Sequence, residues 1–569
     1  MKLTLTGRLS KLILSLTCLL TSTVSAQSES PAQKTAQAAI AIPDPYAAAI
    51  AKEILMQGGN AVDAAVATGF ALAVTYIDAG NIGGGGFMLT HIEGESAFLD
   101  YRERAPFAAH RDMYLDEQRE VIENATLIGG RATAVPGTVA GMWTAHQRYG
   151  SLLWRDLIQP AIKLARQGFL PAQILVDEIH ANLDWFGDKT NFKEYFSQIS
   201  ADQLFKQPEL AMTLERIADA GPADFYQGET ARLIVRQMDK DHGLISMEDL
   251  ESYEAVWRAP LEARWRNFKV LSAPPPSSGG FGVIQLLKMK DALTPYFEGV
   301  EHNSHQYVHL IAEMEKQVFA DRGEYLGDSD FVDIDIKTLI SDGYIDRRAK
   351  EVNPKTISSL EGVSPGLTSP NTTHYSIIDQ WGNAVSNTYT INWAFGSGVV
   401  VEGAGFLLNN EMDDFSVKPG SPNVYGVVGT YANEIQPGKR PLSSMSPTIL
   451  LEGDEVMMAV GTPGGSTIFT SVFQTITNII DFDMTPLEAV SATRFHHQLL
   501  PPELITMSIA NPLPAETIYA LEERGYNVQP HDWEFGDVQV IWREGGALQP
   551  AADPRDRGVG EVFAAATNK

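Results

Sequence analysis

Residues 371–392, NTTHYSIIDQWGNAVSNTYTIN, constrain the fold of this chain more than any other stretch. Tyr375, Ile377, Ile378, Ala384 and Val385 are material for half-buried strands, and residues 379–383 carry turn chemistry, so the segment reads as a β-hairpin. The hairpin is rich in hydroxyls and amides, at Thr372, Thr373, Ser376, Ser386, Asn387, Thr388, Thr390 and Asn392. An edge hairpin with one wet face would account for them, since threonine is a good strand former. The flanking sequence favours a chemical use.

Residues 350–371 are rich in Ser, Pro, Gly and Asn and poor in large apolar side chains, which reads as an exposed linker. A linker ending at Asn371 and a strand opening at Thr372 suggest a nucleophile that needs no separate base. An N-terminal threonine is of that kind, because its own α-amine takes the hydroxyl proton. The α-amine pKa, about 7.7–8.0, leaves a useful fraction of free base near neutrality. Thr372 acquires that amine only if the Asn371–Thr372 bond is cut, and an exposed linker permits the cut. Residues two apart share a strand face, so Thr390 and Asn392 are expected to point the same way.

At 569 residues the chain can bury a large core, and its length suggests more than one domain. A net charge of -28 lacks the basic footprint of a nucleic-acid binder, although a local arginine can still capture a small anion. Lys2, Arg8 and Lys11 precede an apolar run from Leu12 to Leu20, and Val24-Ser25-Ala26 offers a small-residue cleavage site. Residues 1–26 therefore read as a signal peptide, too short to span a bilayer. The mature protein is expected in the periplasm or outside the cell, with no membrane association. The only cysteine, Cys18, lies in that leader, which excludes disulfides, thiolate metal sites and a cysteine nucleophile after cleavage.

Asp44-Pro45 starts a helix and Gly58-Gly59 ends it; Asn60 caps a second, apolar on every face down to about Val74. The glycine run 83–86 leads into a strand with no following Lys-Ser/Thr, so it reads as close backbone packing rather than a phosphate loop. Residues from about 150 to 350 read as mostly amphipathic helical segments interrupted by a stiff loop at 274–280, and the chain turns strand-like beyond the linker to about Thr467. His496-His497 invites a metal reading, but the nearest following carboxylate, Glu503, comes after Pro-Pro, and structural packing is preferred.

TTHYS at 372–376, T-x-N at 390–392, FGSG at 395–398, LLNNEMDDFS at 407–416, PLSSMSP at 441–447 and GTPGGS at 461–466 resemble the γ-glutamyltranspeptidases. QGGNAVDAAVA at 57–67, GGGGFM at 83–88 and DYRERAP at 100–106 resemble that family's N-terminal half. The resemblance implies an α+β fold, the αββα sandwich of an N-terminal-nucleophile hydrolase. It also implies a proenzyme that cleaves itself at Asn371–Thr372 into a large subunit, 27–371, and a small subunit, 372–569. The two would remain a heterodimer, acting without a cofactor on glutathione and other γ-glutamyl compounds and passing the group to water, amino acids or peptides. The hairpin would then be polar because one strand begins with the nucleophile and the other faces the substrate.

Carried onto this sequence, the resemblance gives Thr372 as nucleophile, with Thr390 hydrogen-bonding around it and its amine. Arg102, Ser443 and Ser444 would hold the substrate's α-carboxylate, and Asp414, Glu411 and Asn392 its α-ammonium. Gly464 and Gly465 would offer backbone N–H groups to the oxyanion, and Tyr425 would belong to a lid at 419–430. Glu411 stands where many bacterial relatives carry Gln, and Trp393 where a small residue is common, which bears on the acceptor or leaving-group side. Two alternatives stay open: a β-lactam side-chain acylase on the same fold, and an inactive periplasmic binding protein retaining the scaffold.

Overall fold

The computed structural model describes residues 35–358, 372–418, 430–531 and 533–567. The leader 1–26, Asn371 and Tyr425 lie outside the described residues. Two antiparallel sheets form the centre. The first runs Val559–Ala566, Thr35–Ile42, Thr372–Ile378, Ala384–Thr390, Gly85–Ile92, Glu95–Tyr101, Val256–Arg258 in spatial order. The second runs Ala547–Ala552, Gln539–Glu544, Glu455–Gly461, Thr448–Glu452, Phe268–Ser272, Leu261–Trp265.

Strand alternation sends one face of each sheet inward. Ala39, Phe87, Phe98 and Ile378 from the first meet Ile449, Leu451, Ala459 and Ile541 from the second in one buried cluster. The opposite face of the first sheet, with Tyr375, Ile377 and Tyr389, packs under helices Pro45–Met56, Ala61–Thr75 and Thr138–Tyr149. Helices Gly279–Ala292, His305–Tyr325 and Ile468–Asp481 cover the second sheet. These are the expected four layers, αββα.

The predicted helix starts hold. Asp44 accepts from the N–H groups of Tyr46 and Ala47 at 3.0 and 3.1 Å, and Asn60 and Asp63 form a reciprocal capping box. Ala61–Thr75 is buried on every face because it lies between the sheet and a second helical layer. The glycine run packs as expected: a Cβ on Gly84 would stand 2.0 Å from the Thr390 carbonyl oxygen. Gly85 and Gly86 pair with Thr390 and Tyr389, so the run lets one strand press against the end of the hairpin.

The stretch 150–350 is mostly helical, as expected, with three strands of three to five residues between Val256 and Ser272. Elsewhere the structure departs from the sequence reading. The helix Asp342–Glu351 extends into the predicted linker. The hairpin is not at an edge; it occupies the middle of the seven-stranded sheet. Several of its polar side chains bind other strands instead of facing a site: Ser376 donates to the Gln539 carbonyl and Ser386 to that of Val460, both in the second sheet, and His374 meets the Thr388 hydroxyl of the paired strand at 2.8 Å. Most buried polar groups find partners, and for Ser376, Ser386, His374 and Thr388 the partners lie between strands and between sheets. Only the Thr372–Thr390 end is left for chemistry.

Candidate active site

Thr372 opens its strand directly opposite Thr390, and the two hydroxyls are 3.2 Å apart. On the Thr372–Ile378 strand, the Thr35–Ile42 neighbour pairs with Ser376, Ile377 and Ile378 and not with the Thr372 end, which is paired with the Ala384–Thr390 strand. The Thr390 oxygen accepts from the Asn392 N–H at 2.7 Å. Asn392 sits beyond the strand end with φ 74°, so alternation does not orient it as expected; this left-handed turn and a 3.0 Å bond from its side-chain amide to the Asn410 carbonyl do. Both residues nonetheless line one pocket with Thr372.

That pocket also takes in Arg102, Arg322, Glu411, Asp414, Ser443, Ser444 and Gly465. Arg102, the residue after strand Glu95–Tyr101, is 1% exposed and far from a solvated surface charge. Its guanidinium pairs with Asp414, with Glu411 at 2.5 Å and with Glu103 at 3.5 Å. Burial alone would weaken its hold on the proton, but these three carboxylates outweigh it and keep Arg102 firmly charged. Burial, partly offset by Arg102, lifts the Glu103 carboxyl to about 7 and Glu411 well above the usual range. The predicted cation and anions are thus in direct contact, because isolated charges in so dry a pocket would be expensive.

The Glu411–Asp414 turn is buttressed by the two preceding asparagines. The Asn409 amide bonds the carbonyls of Gly83 and Ala134, and that of Asn410 bonds Leu127. Ser443 and Ser444 are held by the loop before Gly279: Ser443 N–H donates to the Pro276 carbonyl, and the Ser278 hydroxyl to the Ser443 carbonyl, both at 2.8 Å. Arg322, from the last turn of helix His305–Tyr325, donates to the hydroxyls of Ser278 and Ser444 at 2.9 and 3.3 Å. Burial draws its pKa down to about 10. Sequence reasoning missed Arg322, since nothing in a charged helical pattern marks which residue turns inward.

Thr372 also lines a second, wider cleft of about 660 Å³ together with Trp393, Gly464, Trp533, Asp78, Asp537 and Asp556. Gly464 and Gly465 lie one on each side of the junction, both at positive φ (135° and 53°), conformations that glycine adopts most readily. His496 and His497 stand elsewhere. They are buried, bonded to Thr470 and to the Leu504 carbonyl, and drawn by burial to about 3.

The chain's likeness to known proteins agrees with this geometry. Residues 47–563 match the family model for gamma-glutamyltranspeptidase. The chain is 54% identical to a glutathione hydrolase proenzyme of Pseudomonas aeruginosa, covering 92% of this chain and 94% of that protein. Identity to the Escherichia coli glutathione hydrolase proenzyme is 42%, over 91% of this chain and 90% of that one. Among solved structures, a cephalosporin acylase from Bacillus halodurans superposes over 96% of this chain and 99% of its own, at TM-score 0.80 and 25% identity. A γ-glutamyltranspeptidase from Pseudomonas nitroreducens, complexed with L-DON, covers 56% of this chain and 95% of its own, at TM-score 0.55 and 53% identity. With a match across nearly the whole sequence, this chain belongs to the γ-glutamyltranspeptidase family.

Proposed function

We propose that the chain cuts its own Asn371–Thr372 bond and then works as a γ-glutamyltransferase and glutathione hydrolase with Thr372 as nucleophile. The observation that carries this reading is the position of Thr372 at the junction of a charged pocket and an open cleft. The pocket fits the zwitterionic head of a γ-glutamyl group, and the cleft takes what is attached to it.

In the precursor, Thr372 Oγ attacks the Asn371 carbonyl and water hydrolyses the resulting ester. This frees subunits 27–371 and 372–569. The subunits stay together: the two hairpin strands lie between Thr35–Ile42 and Gly85–Ile92, so one sheet is built from both. In turnover the new α-amine takes the proton as Oγ attacks the γ-carbonyl. The N–H groups of Gly464 and Gly465 receive the oxyanion, and the leaving amine departs with the proton. Water or an amine then releases the glutamyl group from Thr372. Thr390, already against Thr372 Oγ and held by Asn392, keeps the hydroxyl in position.

Substrate recognition is an exchange of ion pairs. The α-carboxylate takes over Arg102, helped by the Ser443 and Ser444 hydroxyls, while the α-ammonium takes over Asp414 and Glu411 beside Asn392. The pocket keeps its charge balance throughout. Arginine's fork suits a carboxylate, and Arg322 holds Ser444 in place. Residues 1–26 serve as an export signal, and the enzyme acts in the periplasm or outside the cell. Among the described residues no helix is long and apolar enough to cross a membrane.

The acylase reading draws on the likeness to the cephalosporin acylase. Against it stand the much higher identity to glutathione hydrolases and a pocket equipped for both charges of an amino acid. Comparing γ-glutamyl-p-nitroanilide with glutaryl-p-nitroanilide, which lacks the α-amine, separates the two. Strong preference for the γ-glutamyl compound is expected; preference for glutaryl would favour the acylase.

A further inference from the structure

We propose that Arg322 is a positioning residue for the donor: it fixes the Ser444 hydroxyl as a hydrogen-bond donor toward the substrate's α-carboxylate. This rests on the reading that the charged pocket holds the head of a γ-glutamyl group. Arg322 lines that pocket with Arg102 and is only 6% exposed. Arg102 pairs with carboxylates, whereas among the described residues none pairs with Arg322, and Asp414 acts on it only from a distance. A buried cation is costly unless it is compensated. Part of the compensation is its place in the last turn of a 21-residue helix, at the negative end of the helix dipole. The rest comes from two serine hydroxyls.

Elementary chemistry sets the direction of those hydrogen bonds. A guanidinium can only donate, so Ser278 and Ser444 accept from it through Oγ, at 2.9 and 3.3 Å. Ser278 passes its own hydrogen to the Ser443 carbonyl at 2.8 Å, which completes its bonding. Ser444 has no such outlet, since among the described residues nothing accepts its hydrogen. With the guanidinium against its oxygen, that hydrogen turns to the pocket that Ser444 lines. Ser443 is set likewise: its Oγ accepts from the Met445 N–H at 3.0 Å, and its hydrogen has no acceptor among the described residues. A donor against Oγ also polarises the hydroxyl and strengthens the bond it makes in turn. The pocket thus offers an anion two serine hydrogens beside the Arg102 fork.

A neutral amide in that place would not do the same. Glutamine can donate to Ser444 or accept from it, which leaves the hydroxyl free to reverse. Lysine can only donate, but it lacks the planar fork that reaches Ser278 and Ser444 together. A residue that merely braced the loop would, when lost, lower the turnover of every donor alike. A residue that orients Ser444 is missed only by donors that carry the α-carboxylate.

The test compares γ-glutamyl-p-nitroanilide with 4-aminobutyryl-p-nitroanilide, which keeps the amine and lacks the α-carboxylate. The readout is the ratio of the two kcat/KM values within each processed enzyme, spontaneous release subtracted, so a general loss of activity cancels. The wild type should strongly prefer the γ-glutamyl donor. Arg322→Gln should cut that preference about tenfold, and Arg322→Lys should restore part of it. Ser444→Ala lowers the preference by itself; adding Arg322→Gln to it should lower the ratio by less than about threefold more, because the arginine acts through that hydroxyl. Arg322→Met, which neither donates nor accepts, carries the same expectations should Arg322→Gln fail to mature. An unchanged ratio, a lysine variant no better than glutamine, or an equal loss without the Ser444 hydroxyl would each overturn the proposal. A wild type that uses both donors equally, or neither, would overturn instead the reading on which it rests.

Discussion

The two spaces that meet at Thr372 are built in opposite ways. The charged pocket is assembled from residues 102, 322, 390, 392, 411, 414, 443 and 444, each braced by another buried polar group, with little free room. The cleft has about 660 Å³ and walls of half-exposed helix and loop, including residues 174–182 and 533–537. A pocket whose charges already neutralise one another accepts only a ligand that replaces both partners. A roomy cleft discriminates by net charge and surface, and tolerates variety. On the proposed function, donor recognition should be strict and acceptor recognition permissive.

The largest effect expected on the strict side follows from Arg102→Ala. It removes the carboxylate's partner and leaves Glu411, Asp414 and Glu103 facing one another. Donor kcat/KM should fall by at least about 100-fold, since hydrogen bonds to charged groups contribute roughly 1.5–3 kcal/mol each. Arg102→Lys should recover only part, having no bidentate fork. A loss under about threefold in steady-state assays would mean that the carboxylate binds elsewhere.

Asp414→Ala should cost one to two decades, about 1.5–3 kcal/mol, and should also erase discrimination against the glutaryl analogue. If the variant rejects the analogue as strongly as the wild type, Asp414 does not read the ammonium. Both variants should still process themselves, because the cut uses Thr372 and its neighbours.

A smaller effect separates the two spaces by pH. The Glu103 carboxyl, lifted by burial to about 7, is neutral below that value and charged above it. Ionisation adds negative charge beside Arg102 and weakens its hold on the donor carboxylate. Donor KM should rise several-fold from pH 6 to 8, while acceptor KM, corrected for the free-amine fraction, should not follow. Glu103→Gln should flatten the donor profile; an unchanged profile would remove Glu103 from the account. Smallest of all, Trp393→Ala should alter the balance of transfer and hydrolysis while leaving donor KM within a few-fold, since Trp393 lines the cleft alone.

Much of this arrangement was legible in the sequence, for identifiable reasons. Helix starts at Asp44 and Asn60 depend on local capping, and the hairpin on turn chemistry and apolar spacing. The donor-pocket residues could be named because their motifs resemble a known family, not because periodicity joins Arg102 to Asp414. What stayed hidden is non-local. Several of the hairpin's hydroxyls join strands and sheets, which no single strand pattern reveals. Arg322 turns inward from a charged helix, and Asn392 is oriented by a left-handed turn that strand alternation cannot foresee. The direct contact of Arg102 with Glu411 and Asp414 follows from burial, a property of the whole fold.

The central claim, that Thr372 generates and then uses its own α-amine, is tested most directly by intact mass and N-terminal sequencing of purified protein, wild type beside Thr372→Ala. The wild type should separate into two chains, the smaller beginning Thr-Thr-His-Tyr-Ser. The variant should stay one chain and release no p-nitroaniline from the donor. Maturation of the purified variant at the same bond, or donor turnover by an uncut wild type, would contradict the account.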